Sequence, residues 1–185
     1  MMTAYETSNY TPEQQAAADE AYLNWGGDME KQPDGFVVPL EMVLNDQTKI
    51  VAAAFPEGKI DPTQYNSRNN TIEFDAERFN PEHDSNRWLI HEKTHAVLRA
   101  GGYEDDDQAL SKYPSNFEEQ GAYTTQFYYL ILNYGVTRED IETNPDFSDI
   151  KNKMERYPVL ERYWKTAMQE ATKDSSYLTA TQLAA

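Results

Sequence analysis

Cysteine is missing altogether from this 185-residue chain. Without thiols there is neither a disulfide framework nor a thiolate zinc site, which leaves His, Asp and Glu as the side chains able to hold a metal ion. Long apolar runs are missing as well. No segment approaches the roughly 20 apolar residues that span a bilayer, and no basic start followed by an apolar stretch opens the sequence. The expectation is a soluble protein without a secretion signal, cytoplasmic by default and without a membrane partner. Positive charge is scarce, with 16 Lys and Arg against 32 Asp and Glu, a formal net charge of −16. That balance argues against binding nucleic acid through its phosphates and favours cationic partners. Internal repeats and low-complexity linkers are absent too, so the length suits a single domain over residues 1–185, with loose tails at 1–10 and 174–185.

Aromatic residues, by contrast, are plentiful: 13 tyrosines and three tryptophans can build a core beneath an acidic surface. Histidine is rare, with three in the chain, yet two of them stand four residues apart in the stretch Arg87 to Arg99. Four residues is just over one helical turn, so His91 and His95 stack on one helix face, near enough to share one ion. Glu92 projects about 100° round the helix from His91, beside a water held by that ion rather than onto the ion itself. Trp88, Leu89, Ile90, Val97 and Leu98 surround the pair, while Asn86, Lys93 and Ala100 recur as a solvent stripe, which predicts a largely buried helix. Two histidines and a glutamate in such a setting need partners, and a metal serves all three.

Taken in order, Thr11-Pro12-Glu13-Gln14 opens a helix that runs to about Trp25 and stops at Gly26-Gly27. Phe36 to Leu44, interrupted by Pro39, reads as a short strand followed by a turn or helical piece. Thr48 to Phe55 is the better strand, Asp61 to Asn70 reads as loop, and Thr71 to Asp75 alternates as a strand with one face on the core. Asp84 or Ser85 caps the histidine helix and Gly101-Gly102 closes it. Ser115 or Asn116 caps a further helix from Phe117 to about Tyr134, ended by Gly135. Thr137 to Asp140 signals a short helix reaching Glu142. Asp146 or Ser148 begins another, interrupted by Pro158, after which Val159, Leu160, Tyr163, Trp164 and Met168 form an apolar stripe. The fold class is therefore α+β: a short mixed sheet packed on the helix that carries His91 and His95, then a helical C-terminal part.

An open zinc site takes three protein ligands and leaves a position for water. The metzincin pattern would place a glycine at position 98 and a histidine at position 101, whereas this chain carries Leu98 and Gly101 there, so that branch fails. His83 belongs to a polar lead-in, and Asp105, Asp106 and Asp107 form a solvated acidic run. Glu118 and Glu119, in the first turn of the next helix, are better placed. Periodicity leaves both open. Glu119 is favoured, with Glu118 as its substitute or as a group supporting the ligands.

The strand Thr71 to Asp75, the helix bearing His91-Glu92-Lys93-Thr94-His95 and the later helix opening on a glutamate together resemble the zincin metallopeptidases, in their glutamate-ligand (gluzincin) branch. The resemblance covers roughly residues 70 to 134. It implies that the strand before the helix pairs with substrate backbone along its edge, and that the third glutamate sits in a Glu-x-x-Ala-Asp setting. Glu119-Gln120-Gly121-Ala122-Tyr123 is similar, with Tyr123 where the acid would be. The expected function is a zinc-dependent peptidase acting on a peptide or protein substrate, with Zn2+ on His91, His95 and Glu119, a metal-activated water, and Glu92 as general base. Tyr103, Tyr113 or Tyr123 would steady the developing oxyanion. The rival expectations are a zincin-like protein that binds without cleaving, a purely structural metal site, and an acidic mimic of DNA.

Overall fold

The structure, a computed structural model, describes residues 34–59, 61–79, 87–100 and 113–173. These fall into two compact units: one includes 38–59, 61–79 and 87–100, the other 34–37 and 113–173. Helices and a small sheet make this an α+β chain. The helix expected from Thr11 to Trp25, His83, Tyr103 and the run Asp105 to Asp107 lie outside the described residues. Among the described helices, none is long and apolar enough to cross a membrane.

Among the described residues, the first helix of the first unit is α1, Leu40–Asn45. No strand forms between residues 34 and 39, contrary to the reading of Phe36 to Leu44. Pro39 instead takes the N-cap position of α1, where its missing N–H costs nothing. Three strands follow: β1 (Lys49–Ala52), β2 (Thr63–Asn66) and β3 (Thr71–Phe74). Their order is β1-β3-β2, with β1 parallel to β3 and β2 antiparallel to it. The strand expected over Thr48 to Phe55 is thus confined to Lys49–Ala52, and the stretch Asp61 to Asn70, read as loop, holds β2. Asn70 makes the β2–β3 turn possible by adopting φ 50°, a conformation asparagine tolerates better than most residues.

Helix α2 spans Arg87–Ala100 and covers the sheet. Its Leu89 joins Ile72 and Phe79 in a buried cluster, with Ile50, Tyr65, Phe74 and Trp88 packed around it. Ten of its 14 residues are buried, so it is a core helix rather than a surface one. The expected solvent stripe fails at Ala100, which is only 1% exposed. At Lys93 the stripe serves another end: the ammonium donates to Asp46 O at 2.9 Å, tying α2 to the close of α1.

The second unit is helical: α3 (Phe117–Tyr134), α4 (Arg138–Thr143), a 3-10 turn (Pro145–Phe147), α5 (Ser148–Arg156) and α6 (Leu160–Lys173). Local chemistry sets these limits. Asn116 Oδ1 accepts from Glu119 N at 3.0 Å, and Gly135, at φ 64°, returns its N–H to Ile131 O. Pro158 separates α5 from α6. Tyr123, Phe127, Leu130 and Ile131 of α3 pack with Leu160, Tyr163, Trp164 and Ala167 of α6 as a single core. Residues 34–37 belong here as well: Phe36 stacks on Phe117 at 4.8 Å, and Thr166 Oγ1 donates to Asp34 O at 2.7 Å. Gly35, at φ 78°, lies so near Thr124 Oγ1 and the Tyr163 ring that a side chain would collide with both.

Candidate metal centre

Helical spacing does to His91 and His95 what the sequence requires of it. Both are buried at 8% exposure, their rings meet edge to face with centroids 5.0 Å apart, and their Nε2 atoms stand 3.3 Å from each other. Two nitrogens bound at about 2.0–2.1 Å to one tetrahedral ion are separated by about 3.3 Å, so this pair fits a shared cation without moving. A hydrogen bond between the rings satisfies the same distance, but uses only one lone pair. Thr94, between them, turns its hydroxyl back to Ile90 O at 2.7 Å and so stays out of the way.

Glu92 points to the sheet. Its Oε1 accepts from Thr63 Oγ1 at 3.1 Å and its Oε2 from the backbone N–H of Tyr65 at 2.6 Å. Both donors belong to β2. Asp75 N donates to Pro62 O, which fixes the ladder so that Thr63 and Tyr65 occupy the positions whose N–H and C=O face away from β3. The carboxylate therefore caps an outward-facing amide of an edge strand. Lys59 adds positive charge nearby: its ammonium donates to Gln64 and rests 4.1 Å from the Phe55 ring centre. Burial lowers the Lys59 pKa from 10.5, with Glu92 the strongest influence in the opposite direction.

The resemblance assigns substrate pairing to the strand before the helix, and here topology forbids it. That strand is β3, the middle of three, hydrogen-bonded on both sides. Among the described residues, the edges belong to β1 and β2.

Glu118 and Glu119 stand in the first turn of α3, in the helical unit. Glu118 is 4% exposed and Glu119 is half-buried. Nearly all of α3 is buried on every side, which is why its periodicity leaves the choice between them open. Tyr123, standing where the resemblance expects an acid, hydrogen-bonds Tyr113 and accepts from Lys153 Nζ at 3.2 Å. Its hydroxyl is thus engaged within the helical unit.

Thr63 and Tyr65 are the site residues that the sequence reading passes over. The available signal was a hairpin: two four-residue segments flanking Asn69-Asn70. No protein-family model, curated protein or solved structure matches this chain.

Proposed function

We propose that this chain is a zinc-dependent peptidase of the gluzincin kind, with His91, His95 and Glu119 as metal ligands and Glu92 as general base. The observation that carries the reading is the convergence of two buried imidazoles, Nε2 to Nε2 at 3.3 Å, on a helix whose next residue is a glutamate. Nitrogen and carboxylate donors without thiolate match a catalytic rather than a structural zinc set.

The ion, when bound, supplies Lewis acidity that brings the pKa of a coordinated water towards neutrality and polarises a carbonyl. The remaining work falls to the chain. His91 and His95 hold their ring nitrogens at the required separation before any ligand arrives. An ionised carboxylate offers about four acceptor positions, and Glu92 has committed two of them to β2, so two remain for a proton from water. Glu92 takes that proton as the water attacks an amide carbonyl, and passes it on to the departing amine.

The test combines metal analysis of the purified chain, before and after chelation, with cleavage of a mixed peptide library. Glu92→Gln keeps one ion per chain and loses roughly 10²–10⁴-fold in cleavage rate. His95→Ala loses both ion and cleavage. A Glu92→Gln variant that still cleaves at the parent rate overturns the assignment of the base. A metal-loaded parent inert towards every peptide supports a zincin-like binding protein instead.

A further inference from the structure

We propose that Thr63 is a positioning residue, its hydroxyl holding the Glu92 carboxylate in the orientation from which it acts as a base. This rests on the reading of Glu92 as the general base, and goes beyond it by naming what aims that side chain.

A glutamate carboxyl swings about three torsions, and its last torsion is broad. Two donors on two oxygens remove that freedom. In this chain the donors are Thr63 Oγ1, 3.1 Å from Oε1, and Tyr65 N, 2.6 Å from Oε2. They lie two residues apart on one side of β2, so a single strand presents both. Thr63 is 1% exposed and Glu92 7%, so water does not compete freely for these bonds. The Tyr65 donor is backbone, and β2's place in the ladder fixes it. The Thr63 hydroxyl is the half of the clamp that the side chain contributes. Valine in its place keeps the branched shape and removes the donor. Serine keeps the donor and removes a methyl group.

Thr63→Val is expected to retain the parent metal content and a KM within about twofold, while kcat falls roughly 10–100-fold, the range found when groups supporting a metal site are removed. Thr63→Ser recovers most of that loss, which a role in packing alone does not explain. A second readout is independent of catalysis. In urea unfolding of the chelated chain, Thr63→Val and Glu92→Ala together shift the midpoint by less than the sum of their separate shifts, because each removes one end of the same bond. If Thr63→Val does not fold, Thr63→Ala carries the same comparison. Additive midpoint shifts overturn the clamp. Full kcat in Thr63→Val, in a chain that does cleave peptides, overturns the positioning role and leaves the peptidase reading intact. A parent chain that cleaves nothing defeats the peptidase reading and the positioning role with it, whereas the unfolding cycle still decides whether the bond exists.

Discussion

The Tyr163 phenol is wholly buried in the helical unit and donates to Pro114 O at 3.1 Å. Burial raises its pKa from 10.0 to about 12. The unfolded chain then ionises at this position before the folded one does, so the group favours the fold below pH 10.0 and that advantage is lost as pH rises through about 12. Tyr163→Phe is expected to cost about 1–2 kcal/mol at neutral pH, by stranding a buried carbonyl, yet to flatten the alkaline loss of stability. Urea midpoints of parent and variant across that range check both signs; equal alkaline slopes would refute the buried phenol as their source. Glu92 is a different case. A capped edge amide is reason enough for a buried carboxylate to be there, so its hydrogen bonds alone do not make it a base. The proposed role as base rests on the neighbouring imidazoles, whose Nε2 atoms stand 3.3 Å apart.

Short elements here stand or fall by their ends. Helix α4 has six residues and a full capping box: Thr137 Oγ1 accepts from Asp140 N at 3.1 Å, and Asp140 Oδ2 accepts from Thr137 N at 2.7 Å. Thr137→Ala is expected to destabilise the fold by about 0.5–2 kcal/mol without altering metal content, as measured by urea unfolding. Elements of this kind were legible in the sequence because capping chemistry is local: Asn116, Gly135 and Thr137 mark helix limits that the structure bears out. The same holds for the spacing of His91, Glu92 and His95. Strand β2 was not legible, because Tyr65 is the one residue of its four that packs against the apolar cluster. Gln64 and Asn66 donate to the Glu73 carboxylate on one side, while Thr63 and the Tyr65 amide meet Glu92 on the other, so no apolar alternation announces a strand. Phe36 misled in the opposite sense. Its apolar character serves a stack on Phe117 rather than a sheet, a contact reached only through tertiary structure.

Across the whole molecule, a net charge of −16 repels itself at neutral pH, and mild acid relieves that strain. Several carboxylates set a lower limit to the gain. Hydrogen bonds from Gln64 hold Glu73 below its ordinary 4.5, and those from Thr137 hold Asp140 below its ordinary 3.8, while Arg78 and Arg138 do the same for Asp75 and Glu142. Depressed values mean stability that is present above the ordinary pKa and lost as pH falls through the folded one. Urea midpoints are therefore expected to hold or rise on acidification to about pH 5 and to decline steadily below pH 4.5, the ordinary value of Glu73. A midpoint that goes on rising below that point would refute the anchoring role of these acids. Residues 34–37 carry a different consequence. Thr166 and Asp34, joined by a hydrogen bond, are 132 positions apart in the chain, and Arg162 pairs with the same aspartate at 2.7 Å. On a ribosome this strip is made well before α6 and must wait, with Phe36 exposed to whatever else is in solution, until α6 has left the exit tunnel, so the helical unit closes only then and cannot be excised as one uninterrupted fragment.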